Sequence, residues 1–187
     1  MRIAFVTSNT HKVAEVREVL AEYGIEVYQA KAPKVEIQST DLREVAVSAA
    51  IIAYSVLKTP LIVEDAGLFI RALNGFPGPY SSYVYSTIGI SGVLKLLEGV
   101  KDRYAEFVSV IAYADEDGVR VFEGRVKGTI TREPRGNRGF GFDPIFMPIG
   151  LDKTFAEMSI HEKNRYSHRG MAARKLGEWL SKEKLYK

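Results

Sequence analysis

The sequence predicts an α/β domain on a mixed sheet, and three observations carry that reading. Strand-like and helix-like patterns alternate through the first half of the chain. Two long β-rich runs joined by a hairpin signal follow, and a helical tail closes it. With 187 residues, positions 1–187 read as one ordinary domain, long enough to bury a sizeable core.

Each element has its own local reason. "RIAFVT" is a short apolar run of strand character that breaks into the polar turn "SNTHK". Val13, Val16, Val19 and Leu20 then recur at helical spacing until Gly24, a residue suited to a helix end. "IEVYQA" reads as a second strand, and in "KVEIQ" alternation sets Val35 and Ile37 on one face, Glu36 and Gln38 on the other. Asp41 followed by Glu44 resembles a capping box for a helix through Leu57, with Leu42, Val45, Ala49, Ile52, Ala53 and Val56 as its stripe. "LIVE" is a strand ending on paired acids and a small-residue turn, Ala66-Gly67. The stretch "GLFIRALNGFPGPYSSYVY" after it reads as an ordered loop with little regular structure. Ser91 opens a short helix closed by Gly99. "AEFVSVIAYAD" and "VRVFEGRVKGTIT" form a hairpin across "EDG". "REPRGNRGFGFDPIF" is a Gly/Arg loop, and from Ser167 the tail is a helix with Ala172, Leu176, Trp179 and Leu180 on one stripe.

Composition excludes several classes. An apolar share of 46% with 26% charged residues describes a soluble globular chain, and the absence of cysteine removes disulfides, thiolate chemistry and cysteine zinc sites. The uncharged stretch "VAVSAAIIAYSVL" falls short of a membrane span, and "MRIAFVTSNTHK" has too short an apolar run for a signal peptide. A cytoplasmic protein with no membrane partner is the expectation. The net charge of +3 suits an anionic ligand but is weak support for nucleic acid.

Four stretches can carry chemistry. In "TSNTHK" a strand-to-helix turn offers backbone N–H groups at the positive end of a helix, where Lys12 opposes the dipole. It reads either as an anion site or as a solvated lysine beside an ordinary cap; no Walker A pattern is present. Glu64 and Asp65 read either as the wet end of a strand or as acids sharing a divalent cation with a polyphosphate, Glu36 being a further ligand. "GFGFDPIF" places Phe140 and Phe142 between glycines ahead of Asp143. This is either a bulge with two core phenylalanines or a stacking surface with an acceptor for a ring N–H. "HEKNRYSHRG" gathers Lys163, His168 and Arg169 near a helix start capped by Ser167, as an exposed basic turn or as donors to a carbonyl or phosphate oxygen. The three histidines lack HxH or HExxH spacing, so a zinc site is not expected.

Together "TSNTHKVAEV", "VEDAGLFIRALNGFPGPY", "GFGFDPIF", "KTFAEM" and "EKNRYSHRG", in that order over residues 7–169, resemble the inosine triphosphate pyrophosphatase family of non-standard purine nucleotide hydrolases. The resemblance implies an elongated mixed β-sheet with flanking helices, forming two lobes around a central cleft, usually in a homodimer. It implies that Thr7, Ser8, Asn9, Thr10, His11 and Lys12 hold the triphosphate. Glu36 and Asp65 match the magnesium acids, with Glu64 as a third. Asp65 matches the base, and Ala66 and Gly67 match the turn beside it. Phe140, Gly141, Phe142, Asp143, Lys163, His168 and Arg169 match the base pocket. Many relatives carry serine where this chain has Ala66. The implied cofactor is Mg²⁺ and the implied reaction is NTP + water → NMP + pyrophosphate, with no stable nucleic-acid partner. Two rival readings are a nucleic-acid-binding module and a Maf-like pyrophosphatase for pyrimidine nucleotides.

Overall fold

Residues 1–33, 35 and 37–183 are described in a computed structural model. The chain begins with β1 (Arg2–Val6), buried in four of its five residues, and turns through Thr7–Asn9 into α1 (Thr10–Ala21). Val13, Val16, Val19 and Leu20 are buried as the spacing predicts, and Gly24 takes a left-handed φ of 66° just past the helix end. β2 (Glu26–Ala30) pairs parallel with β1, from Arg2 against Glu26 to Val6 against Ala30.

α2 (Leu42–Leu57) is capped as expected by Asp41, whose Oδ1 accepts from Arg43 N at 2.8 Å. Glu44 does not close the box directly. Its carboxylate takes the Ser39 hydroxyl at 2.7 Å, and Ser39 Oγ accepts from Asp41 N. The buried face runs through Leu42, Val45, Ala46, Ala49, Ala50 and Ala53, while Val56 is 55% exposed. The alanines let this helix lie close on the sheet, which rotates its contact face away from Ile52 and Val56. Val35 and Ile37 lie outside any strand and are exposed; Glu36 lies outside the described residues.

β3 (Leu61–Ile70) is more than twice as long as the sequence reading allowed. Ala66 and Gly67 form no turn: every residue from Leu61 to Ile70 pairs antiparallel with β5 (Tyr104–Asp115), Leu61 against Ala114 and Ile70 against Ala105. Gly67 is needed for a different reason. A Cβ there would collide with the carbonyl of Gly78, where β4 (Pro77–Gly78) lies against β3. The stretch expected to be irregular thus holds the end of β3, β4 and α3 (Ser81–Thr87). α4 (Gly89–Leu96) begins two residues before Ser91.

β5 and β6 (Gly118–Ile130) form the expected hairpin, with Asp115 against Gly118 across a two-residue turn. β7 (Phe146–Pro148) is an edge strand on β6. The resulting seven-stranded mixed sheet has the order β2-β1-β3-β5-β6-β7, with β4 on β3. α5 (Ile160–Tyr166) and α6 (His168–Glu183) end the described chain.

Three apolar cores result. One joins α1 and α6 to a face of the sheet through Phe5, Val16, Ile62 and Leu176. A second packs α2 on the opposite face against Val63, Val108 and Val110. The third fills the far end of β3, β5 and β6 with Leu68, Val93, Phe107, Phe146 and Phe155. β3 crosses from the first two into the third. β1 stops at Val6, level with Val63, so beyond that point the β1 side of β3 is open until β4 arrives at Leu68. That gap, at the carboxyl end of a parallel strand, is where open α/β sheets place their ligands. No described helix is long and apolar enough to cross a membrane.

Candidate functional site

The gap in the sheet is entered first by the start of α1. Asn9 caps it, its Oδ1 accepting from His11 N at 3.0 Å and Lys12 N at 3.2 Å, while Asn9 N donates to Thr7 Oγ1. Those two amides are therefore satisfied by the chain itself, and the positive charge this turn presents is chiefly that of Lys12. Ser8, Thr10 and His11 are exposed, and Thr7, Asn9 and Lys12 are half-buried.

Lys12 reaches β3 where β1 has ended. Its Nζ donates to the carbonyl of Glu64 at 3.4 Å and lies 2.7 Å from Glu64 Oε2, an ionic contact without hydrogen-bond alignment. Glu64 is 1% exposed. Its Oε1 accepts from Ser109 Oγ at 2.7 Å and from Arg169 Nε at 3.0 Å. Burial alone raises the Glu64 pKa, but Arg169 and Lys12 outweigh it and hold the carboxyl well below the ordinary glutamate range.

From Arg169 the charges continue. Arg169 Nη1 donates to Glu15 Oε2 at 2.6 Å; Glu15 Oε1 and Asp143 Oδ2 each accept from Lys163 Nζ at 2.6 Å. Asp143 Oδ2 also accepts from Phe140 N at 2.9 Å. Lys12, Glu64, Arg169, Glu15, Lys163 and Asp143 thus form one alternating chain in which all but Lys12 are almost fully buried. Burial and the nearby Glu15 charge raise the Asp143 pKa against the pull of Lys163. Glu15, also opposed by burial, is held low by Arg169 and Lys163.

The helix geometry that permits this is specific. At Gly124 on β6 any Cβ would strike the carbonyl of His168, so glycine there seats the start of α6 directly on the sheet. Ser167 caps α6 as predicted, its Oγ accepting from Gly170 N at 3.1 Å. His168 stacks on Phe107 at 4.6 Å and 7°, is 2% exposed, and has a buried Nδ1 with no hydrogen-bond partner. Burial, then the charges of Arg169 and Lys163, push its pKa well below 6.5, so the ring is neutral near pH 7. Phe140 lies over the cations, its centroid 4.9 Å from Lys163 Nζ and 5.3 Å from Arg169 Cζ. Phe142 is buried in the far core and meets Tyr85 edge-on; Gly141 sits between the two phenylalanines with φ of 60°.

Asp65 and Ala66 are half-buried on β3. Because successive strand residues face opposite ways, Asp65 points to the α2 side while Glu64 points to α1 and α6. The adjacent acids are therefore not a carboxylate pair. Among the described residues, no group of three acids or histidines is gathered to hold a metal ion. Glu64, committed to Lys12, Arg169 and Ser109, does not fit as a ligand in this arrangement. Asp65 fits the one or two carboxylates that magnesium takes besides water and phosphate oxygens. Glu15, Ser109 and Asn164 are site residues that the sequence reading missed. Asn164 Nδ2 donates to the Glu15 carbonyl at 3.1 Å, which ties α5 to α1. The signal for Glu15 was an acid one turn after Lys12, beside the apolar stripe of its helix.

The chain is 59% identical over 178 residues to a dITP/XTP pyrophosphatase of Hyperthermus butylicus, covering 95% of this chain and 94% of that one. It is 55% identical to a dITP/XTP pyrophosphatase of Thermococcus kodakarensis, covering 96% and 97%. Its fold matches a HAM1 protein from Coxiella burnetii with a TM-score of 0.85 at 34% identity, over 97% of this chain and 99% of that one. The family model described as Ham1 family matches residues 3–179. With that match over nearly its whole length, this chain belongs to the Ham1 family.

Proposed function

We propose that this chain hydrolyses the non-standard purine nucleoside triphosphates ITP, dITP and XTP to the monophosphate and pyrophosphate, removing them from the nucleotide pool. The observation that carries the reading is the unbroken ion chain from Lys12 to Asp143. It joins the turn suited to a polyphosphate to the donors suited to a purine edge, which lie some 150 residues away in the sequence. The names borne by the relatives in Hyperthermus and Thermococcus support the same activity.

In this reading Lys12 turns from Glu64 toward the phosphates and neutralises charge as it builds on the leaving pyrophosphate. Asp65 positions a water against the α-phosphorus and takes its proton. Magnesium, held by Asp65 and by Glu36 as the family resemblance implies, would supply further charge neutralisation at the phosphates. Arg169, Lys163 and backbone N–H groups satisfy the O6 acceptor of hypoxanthine or xanthine. Adenine presents an amino donor there and leaves buried donors unpaired, a mismatch worth about 10⁴-fold or more. A homodimer belongs to the same proposal.

The test is a panel of ITP, dITP, XTP, ATP, GTP, UTP and CTP, assayed for pyrophosphate with magnesium and with EDTA. Pyrophosphate from the first three with magnesium, lost in EDTA, is the expected result. Preference for UTP or CTP would overturn the purine reading, and orthophosphate as first product would overturn the cleavage site.

A further inference from the structure

We propose that His11 is a base-stacking residue, one of two aromatic walls that grip the purine, with Phe140 as the other. The proposal rests on the nucleotide reading above and deepens it. By position His11 belongs to the stretch that the family resemblance gives to the triphosphate. The structure sends its side chain elsewhere. Its ring lies over Phe140 with centroids 5.3 Å apart and planes 18° from parallel. Its backbone N–H is already spent on Asn9 Oδ1 at 3.0 Å, so the imidazole is the part of His11 left to meet a ligand. His11 and Lys12 are successive on α1, where neighbours point about 100° apart. Lys12 takes the phosphate side, against Glu64, and His11 takes the side of Phe140.

The separation of the rings is informative. At 5.3 Å they make an ordinary aromatic pair. Two rings that hold a third at contact distance stand about 7 Å apart, wider than the present pair, so the two must part to admit a base. Phe140 lies between two glycines in the left-handed region, Gly139 at φ of 71° and Gly141 at φ of 60°, so no neighbouring side chain flanks its ring along the chain. It also covers Lys163 and Arg169, which are 3% and 2% exposed and become reachable to a base edge only when Phe140 shifts. The purine thus enters by taking the contact that Phe140 and His11 now make with each other.

The test uses His11→Ala and His11→Phe in the full chain, with dITP turnover and inhibition by inorganic tripolyphosphate, which has no base. Stacking predicts that His11→Ala raises KM for dITP roughly tenfold while the tripolyphosphate inhibition constant stays within about twofold, and that His11→Phe restores KM. Equal weakening toward dITP and tripolyphosphate would return His11 to the phosphates and overturn the proposal, as would an unchanged KM. Tripolyphosphate inhibition in the variants also reports a folded site. A wild-type protein that releases no pyrophosphate from any purine triphosphate would instead sink the underlying function, a failure visible before any variant is made.

Discussion

Asp65→Asn is expected to lower kcat for dITP by about 10² to 10⁴, the range lost when a positioned general base is removed. The substitution keeps the shape of the side chain and removes its capacity to take a proton. The unfolding midpoint should therefore stay near that of the wild type, which separates lost chemistry from lost fold. The position supports the role: Asp65 is half-buried on the stretch of β3 that β1 leaves open, one residue beyond the carbonyl that Lys12 grips. Turnover near the wild-type rate would remove Asp65 from the mechanism.

Glu64→Ala is expected to act on stability first, costing about 3–5 kcal/mol, the cost of removing one partner from a buried ion pair. The side chain has no exposed surface, and its loss strips charge compensation from Arg169 and Lys12 and the acceptor from Ser109. Chemical denaturation of the two proteins measures it. A metal ligand reached by solvent would behave otherwise, with little change in stability and a large loss of magnesium-dependent activity.

The same carboxylate sets a pH dependence whose sign follows from its shift. Burial would raise its pKa, but Arg169 and Lys12 prevail and hold it below the 4.5 of an ordinary glutamate. Its ionised form therefore contributes stability fully above that value, and the contribution is lost as pH falls below it. The difference in unfolding free energy between wild type and Glu64→Gln should be constant near neutral pH and shrink on acidification below 4.5. A difference that is independent of pH would contradict the ionised pairing.

Local signals were legible wherever neighbours in sequence are also neighbours in space. The EDG turn, the Asp41 and Ser167 caps and the apolar stripes of α1 and α6 all depend on residues within a few positions. The error at β3 came from reading Ala66-Gly67 as a turn. Gly67 is small because Gly78 presses on it, a contact no local pattern announces. Ending the strand early also hid the divergence of Glu64 from Asp65, since alternation applies only while the strand continues. Lys163 and Arg169 could be singled out as unusual basic residues. Their pairing with Glu15 could not be read, because those contacts close over about 150 positions. The course of α2 shows the weaker form of the same limit: periodicity found the helix, and the packing of its alanines chose the face.

The position of bond cleavage tests the central claim most directly. Hydrolysis of dITP in ¹⁸O-enriched water, followed by mass spectrometry of both products, locates the attacked phosphorus. Attack at the α-phosphorus predicts one ¹⁸O in dIMP and none in pyrophosphate. Label in the pyrophosphate, with unlabelled dIMP, would contradict it.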